Sequence, residues 1–434
     1  MKFKKKKKKS NSRGYTLKGT VDHVNKRFAF IEIDEYSEDI KVRSRYLKGA
    51  IHGDKVEIKV SHQLSKNNLE GEVIRIIERK TTEFIGTVED SKGFVFFIPK
   101  NKKVFVDFFI RKKRSDKFSK RKKYLVKVID WGNSLKKPEA KVIKCIGNIG
   151  ENETEINSII HDFDLPTKFP LDVNEETEIL NEIISEKEIK KRKDLRAIDS
   201  FTIDPDDAKD FDDALSVEKE KDNISIGIHI ADVSHFFNVK TKINEEAEKR
   251  ATSVYLVDRT IPMLPEKLSN NLCSLKPNVD RLTYSVIIKF DSNLSIVDYW
   301  IGRTVIHSKK RFTYEEAQES INNKNGLFHE KLNILNDIAK NIREKRFKSG
   351  SFNFSSNEIK FRLDKEKKPI EVFRKKRKDT HKMVEEYMLL ANKLVAEKII
   401  SIEKKEKKSY PFVYRIHEDP EESKISELKN YIKQ

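Results

Sequence analysis

Cysteine is nearly absent from this chain: Cys145 and Cys273 are two in 434 residues. They lie too far apart in sequence for a disulfide framework or a zinc motif, a usage that fits a reducing, cytoplasmic setting. Long apolar runs are missing as well. No stretch approaches the ~18–20 hydrophobic residues a membrane span needs, so no membrane partner is expected. The opening MKFKKKKKKSNSRGY is positive, but no hydrophobic segment follows it, so it reads as a flexible basic arm over residues 1–14 and not as a secretory signal.

What is abundant is charge. Lys and Arg number 90 against 71 Asp and Glu, a formal net charge of +19. Such a bias attracts polyanions through phosphate neutralisation and counterion release. A solvated basic surface in a Lys-, Asn- and Ile-rich composition is the alternative, and composition does not separate the two. The length suggests two to four domains. Hydrophobic residues, 37% of the chain, fall in short alternating runs that suit small β-rich modules plus one larger domain.

One pattern occurs twice. LKGTVDHVNKRFAFIEID leads on to GAIHGDKVEIKV, and FIGTVEDSKGFVFFIPKNKKVFVDFFI leads on to KYLVKVIDW. Each copy opens on a G-T-V strand, turns through polar residues and enters an aromatic strand of period two. Phe28 and Phe30 share one face, as do Phe94 and Phe96. Strands this short over such spans predict two five-stranded OB-type barrels, at 15–80 and 81–147. Aromatic rings among lysines form a stacking platform for single-stranded nucleic acid, while buried core phenylalanines are the competing reading for any one ring.

Between about 148 and 195 the texture changes to a connector. HDFDLPTKFP reads as extended, and NEETEILNEIISEKEIKKRKDL has helical spacing at Ile179, Leu180, Ile183 and Ile184, acidic early and basic late. The domain from 196 onward mixes periods: NISIGIHIADVSHFF predicts strand, while INEEAEKRATSVYL and THKMVEEYMLLANKLVAEKII predict helices, the latter with Val384, Tyr387, Met388, Ala391, Leu394 and Val395 in one stripe. The class is α+β.

Within it, TIDPDDAKDFDDALSV places Asp204, Asp206, Asp207, Asp210, Asp212 and Asp213 within ten positions. Apolar runs flank them, so the acidic stretch is a loop between strands of a folded domain and not a solvated tail. Carboxylates this close do not all stay ionised without compensation. Hard divalent cations answer the need: Mg²⁺ takes one or two protein carboxylates and substrate phosphate, and a pair of ions serves phosphodiester hydrolysis. A calcium loop of EF-hand type is excluded by the absent glycine and terminal glutamate. His229, Asp232 and His235 have metal-like spacing but point to different faces of a strand, which favours structural roles. The basic run FRKKRKDTHK lines an RNA path or forms a solvated loop; both readings stand.

TIDPDDAKDFDDALSV resembles the signature of the ribonuclease II/ribonuclease R (RNB) family. So do GIHIADVSHFF, VYLVDRTIPMLPEKLSNNLCSLKPNVDRLTYSV, GSFNFSSNEIKF and HKMVEEYMLLAN, in the family's order, while the barrels resemble its paired cold-shock domains. The resemblance implies a Mg²⁺-dependent, processive 3′→5′ exoribonuclease of RNA decay that releases nucleoside 5′-monophosphates from single-stranded or structured RNA. By position, Asp204, Asp210 and Asp213 would hold metal and Asp212 would position metal and scissile phosphate, with Asp210 and Asp212 as the catalytic pair. Tyr255 matches a tyrosine that packs on the 3′-terminal nucleotide, Phe354 the aromatic that clamps the base stack, and Glu385 a glutamate near that nucleotide. Read from its own helix, Glu385 is one of an adjacent pair and equally a solvent-facing residue.

Family members continue beyond the position matching Gln434 with an S-P-[IL]-R-[RK]-Y segment and an S1 barrel. The expectation is therefore the N-terminal part of the family's catalytic domain at 196–434, as a fragment, as one half of a split enzyme whose other half is a separate chain, or as a decayed copy, with an RNA-binding protein without hydrolysis as the competing reading. Single-stranded RNA with a 3′ end is the expected partner, and ribosome-associated RNA is compatible with the resemblance.

Overall fold

The computed structural model describes residues 15–34, 39–61, 69–91, 94–112, 117–132, 136–220, 222–352, 358–366, 368–417 and 419–433. The basic arm and Phe354 lie outside the described residues. Contacts divide the chain into two compact units: Met1–Lys168 with Leu256–Ile261 and Arg362–Glu371, and Phe169–Tyr255 with Pro262–Phe361 and Val372–Gln434.

In the first unit, β1 (Thr16–Val24), β2 (Phe28–Glu32), β3 (Ile40–Arg43), β4 (Lys55–Ser61) and β5 (Glu70–Glu78) close in the order β1-β2-β3-β5-β4. Next, β6 (Glu83–Ser91), β7 (Phe94–Pro99), β8 (Phe108–Ile110), β9 (Lys122–Asp130) and β10 (Glu139–Asn148) close with the same connectivity. In each barrel the third and fifth strands pair in parallel, Lys41 opposite Glu70 and Phe109 opposite Glu139. These are the two OB-type barrels the repeat predicts. Alternation builds their cores: Val21, Ala29, Ile31, Val42, Ile58 and Val73 are buried in the first, and Phe84, Val95, Phe97, Phe108 and Val126 in the second.

The repeated glycine has one cause in both copies. A Cβ on Gly19 would stand 2.5 Å from the carbonyl oxygen of Glu32, and one on Gly86 would stand 2.1 Å from that of Ile98. The first strand of each barrel packs against its neighbour too closely for a side chain. The link between barrels is pinned by Arg79, whose Nη1 donates to Asp54 Oδ2 at 2.6 Å and Gly49 O at 2.8 Å. Its guanidinium lies 3.5 Å from the centre of the Trp131 ring. Helix α1 (Asn152–Asp162) is fastened to the second barrel by the buried Lys123, whose Nζ reaches Glu155 Oε2 at 2.7 Å and Ser158 Oγ at 3.0 Å.

The remaining elements follow as α2 (Leu171–Glu178), α3 (Glu186–Ile189), β11 (Lys193–Asp194), β12 (Ser200–Asp204), β13 (Asp213–Lys219), β14 (Ile224–Ala231), α4 (Lys242–Arg250), β15 (Val254–Tyr255), β16 (Thr260–Ile261), β17 (Asp280–Phe290), β18 (Ile296–Thr313), α5 (Tyr314–Asn322), α6 (His329–Lys348), β19 (Ile359–Leu363), β20 (Pro369–Arg374), α7 (Asp379–Glu406) and α8 (Glu422–Ile432). The central sheet of the second unit runs β11-β18-β12-β13-β14-β17, and the 18-residue β18 also pairs with β17. Helices α6 and α7 cover one face through Leu332, Leu335, Ile338, Met383, Val384, Tyr387 and Leu394, packed against Phe201, Leu215, Ile226, Ile288 and Phe312. The predicted α7 stripe is the face it buries.

The expected helical bridge is interrupted. Helix α2 stops at Glu178, and the chain is not helical again until Glu186. Two polar side chains shape the interruption: Asn181 Oδ1 accepts the Ile183 N–H at 2.9 Å, and Ser185 caps α3 by accepting from Glu188 N. Side-chain acceptors of this kind compete with the helical ladder. Ile179 and Ile183, whose spacing read as helical, lie in the interruption and are 81% and 80% exposed.

Candidate active site

Asp204 ends β12 and Asp213 begins β13, so the acidic loop 205–212 joins two neighbouring strands of the central sheet. The ladder between these strands covers Ser200–Ser216 and Phe201–Leu215, then opens, which leaves room for a loop to fold over the sheet end. Phe211 anchors it: the ring is buried, its N–H donates to Ser274 Oγ at 3.1 Å, and its carbonyl accepts from Leu275 N at 2.8 Å. Asp212 O accepts from Ala231 N at 2.9 Å. A buried phenylalanine among aspartates therefore sets the loop's conformation and turns the flanking carboxylates outward.

Three of these carboxyls are held far above the ordinary carboxylate range. Burial pushes Asp204 up to about 7, with Asp213 and Asp212 adding like charge against the pull of Arg311. Burial, with Asp210 and Asp213 beside it, raises Asp212 to about 6, and burial raises Asp213 to about 6. Asp212 keeps some surface open to solvent even though burial is the main cause of its shift, which places it at the mouth of a cleft. Asp204 is 8% exposed, and its Oδ2 has no hydrogen-bond partner among the described residues. A buried, unpartnered carboxylate oxygen is costly and needs a cation or donor to complete it.

The loop's protein counter-charge is Arg311, on β18. It donates Nη2 to Pro205 O, and to Asp206 O at 3.0 Å, and lies against the Phe211 ring at 5.5 Å. One guanidinium directed at loop carbonyls leaves the carboxyl charge itself largely uncompensated. Among the described residues, no three His, Cys, Asp or Glu side chains gather closely enough to hold one ion. The four aspartates share a neighbourhood, and their carboxyls do not converge on one point. The donor set, all oxygen with one orphaned oxygen, suits a hard divalent cation.

Of the residues anticipated outside the loop, Tyr255 touches it directly. The Tyr255 hydroxyl donates to Asp210 Oδ2 at 2.7 Å; its ring is 65% exposed, and its phenol is pushed up to about 12 by burial of the hydroxyl end and by Asp210. Glu385, half-exposed on α7, is ion-paired with Arg377. Its neighbour Glu386 is buried and held by Arg346 and Arg343. Unanticipated is the pair Tyr314 and His381, stacked with ring centres 3.9 Å apart and planes at 10°. Tyr314 follows Thr313, which pairs with Asp204 across the sheet, and is pushed up to about 12 by burial and by Asp213 and Asp204. His381 is pushed down to about 4 by burial, then by Lys375. The basic run thus brings its cations beside the acidic loop's own neighbours.

The set-aside trio is structural. His229 sits inside the sheet, Nε2 at 2.9 Å from Ser216 Oγ and Nδ1 at 2.7 Å from Ser285 Oγ. Asp232 pairs with Arg192 Nη1 at 2.8 Å, and His235 Nδ1 lies 3.3 Å from Arg192 Nη2. Burial lowers His229 to about 4 from 6.5. The unfolded chain therefore takes up this proton first as pH falls. The stability associated with neutral His229 is complete above pH 6.5 and is lost between there and about pH 4, amounting to about 3 kcal/mol. Urea unfolding of His229→Gln against the parent from pH 7 to 4.5 should show the shallower slope in the variant; parallel curves would contradict a buried neutral imidazole.

The barrels present the expected faces. Phe28 and Phe30 turn out of the first barrel in edge-to-face contact at 5.3 Å, with Lys41 Nζ 4.6 Å over Phe28. On the second, Phe94, 58% exposed, and Phe96 flank Phe109, which the sequence reading passed over, at 6.4 and 6.1 Å, and Lys137 Nζ is 5.1 Å from the Phe96 ring. Phe97 and Phe108 point inward and are core.

Comparison with known proteins agrees with this layout. The RNB domain family model matches residues 192–434, a cold shock domain model matches 96–170, and a ribonuclease B OB domain model matches 19–76. Ribonuclease R of Thermotoga maritima is 35% identical over 95% of this chain and 59% of the relative; that of Aquifex aeolicus is 33% identical over 94% and 58%. The chain therefore spans about three fifths of the length of these curated relatives. Mycoplasma genitalium RNase R in complex with ribose-methylated single-stranded RNA superposes with a TM-score of 0.82 at 25% identity, over 96% of this chain and 66% of that one. Yeast Ssd1, a pseudonuclease, shares the fold at 19% identity and a TM-score of 0.61, over 89% of this chain and 55% of that one.

Proposed function

The chain belongs to the RNB-domain family, and from that premise we propose that it acts as a ribonuclease R-type 3′→5′ exoribonuclease on single-stranded RNA. The observation that carries the reading is the set of uncompensated carboxyls at Asp204, Asp212 and Asp213, with Asp204 Oδ2 orphaned at the end of a sheet. Asp204, Asp210 and Asp213 are the residues that would hold magnesium. When bound, the ion supplies a water acidic enough to attack at neutral pH and a charge for the leaving oxygen. Asp212, open to solvent beside them, orients the scissile phosphate. Tyr255 offers an exposed ring to the terminal base, and Glu385 the next polar contact; Phe354 takes the opposite side of the stack by position alone. Phe28, Phe30, Phe94 and Phe96 stack incoming bases while Lys41 and Lys137 accompany the backbone.

The test is incubation of the purified chain with 3′-tailed RNA and Mg²⁺. Release of nucleoside 5′-monophosphates from the 3′ end supports the enzyme. RNA retention without release favours a binding role, the reading that the unassembled carboxylates would otherwise support. RNA affinity should also fall about a hundredfold between 50 and 200 mM salt if roughly five phosphates are neutralised. Fluorescence anisotropy across that range measures it, and a flat response would remove the basic surface as the binding face.

A further inference from the structure

Tyr255 and Asp210 are 45 residues apart in sequence, yet the phenol donates directly to the carboxylate. A charge-assisted bond of this kind is short and directional, and it holds a carboxylate in one orientation. Asp210 is thereby turned toward Tyr255. Meanwhile Asp204 Oδ2 lacks any partner among the described residues, and no three acidic groups there converge. The Tyr255 side chain is 65% exposed, which leaves surface on which a base can stack. The same side chain therefore joins the nucleotide surface at one end to a candidate ion ligand at the other.

Resting on the reading of the acidic loop as a metal site, we propose that the Tyr255 hydroxyl is a latch on Asp210. In the RNA-free chain it holds this carboxylate away from Asp204 and Asp213, and a base stacking on the ring releases it, so that RNA arrival completes the ion site. Tyr255 is then a positioning residue for the metal as well as a contact for the base. The coupling must be reciprocal: whatever factor RNA adds to ion affinity, the ion adds to RNA affinity. Its use is economy of chemistry, because a site that assembles only with a strand in place does not hold a hydrolytic ion idle.

Titration of the full chain with Mn²⁺, followed by the paramagnetic resonance of the free ion, tests this with and without a nuclease-resistant 2′-O-methyl oligonucleotide. The oligonucleotide should tighten Mn²⁺ binding to the parent chain about tenfold, within the usual range of coupling between sites. Tyr255→Phe should bind Mn²⁺ without oligonucleotide more tightly than the parent does, and should gain less than the parent from adding it, keeping only the part that the strand's own phosphate supplies. Tyr255→Leu should match Tyr255→Phe in the oligonucleotide-free titration, since both lack the hydroxyl. Equal affinities for parent and Tyr255→Phe, weaker binding by Tyr255→Phe, or a difference between the two variants would each overturn the latch while leaving the metal site intact. No Mn²⁺ uptake by any of them, or uptake unaffected by Asp204→Asn, would remove the nuclease reading and the latch together.

Discussion

Asp212→Asn is expected to lower nucleotide release by at least about a hundredfold, the scale seen when one preorganised electrostatic contact to a transition state is removed. RNA affinity should hold or rise, because a negative charge leaves the vicinity of a phosphate. The substitution keeps the side chain's shape. Asp212 faces solvent, and its structural contact is a backbone carbonyl that accepts from Ala231, so the loop should fold as before. Asp206→Asn is the matched control: the same loop, the same change of charge, a side chain 93% exposed. It should retain full activity. The pair separates two explanations that a single variant confuses. Equal losses would mean that only the loop's net charge matters; a loss confined to Asp212 means that a particular carboxylate does the orienting. Undiminished release by Asp212→Asn would remove it from the reacting centre.

Much of this was legible in the sequence because it is periodic or local. Period-two alternation put Phe94 and Phe96 of FVFFIP on one face, and the structure turns that face out while it buries Val95 and Phe97. The G-T-V repeat marked the same tight strand contact in both barrels. The Asp204–Asp213 loop was visible because its carboxyls and its flanking strands are contiguous. What escaped was long-range or broke a local pattern. Arg311 reaches the loop across 106 positions, and a lone arginine in KKRF carries no spacing signal. Tyr314 and His381 meet only because one follows the strand beside Asp204 and the other opens α7. In the connector, helical spacing of isoleucines was overridden by Asn181 and Ser185, whose side chains satisfy backbone donors that the helix would have used.

The glutamate pair on α7 shows where periodicity runs out, and it yields the largest expected effect on stability. Glu385 and Glu386 differ by about 100° around the helix, so one stripe of apolar residues cannot say which is inside. The structure places Glu386 inside, 1% exposed, with Oε2 accepting from Arg346 Nε at 3.0 Å, Oε1 from Arg346 Nη2 at 2.5 Å, and Arg343 Nη1 at 3.6 Å. This bidentate pair ties α7 to α6 beneath the sheet. Glu386→Ala leaves two guanidinium groups without their carboxylate in a largely dry setting, which should destabilise by about 3 kcal/mol, the low end for a broken buried pair because Arg346 can still reach water. Glu385→Ala, losing a half-exposed pair with Arg377, should cost under about 1 kcal/mol. The two tryptophans fall in different units, Trp131 with the barrels and Trp300 with the central sheet. Urea unfolding read by Trp300 fluorescence in a Trp131→Phe background therefore reports on the unit that holds α6 and α7. The ranking, Glu386 far above Glu385 in stability and Glu385 above Glu386 in any effect on terminal-nucleotide binding at unperturbed folding, follows from a rotation of one residue about a helix; a reversal of either order would mean that α7 is set against the sheet in another register.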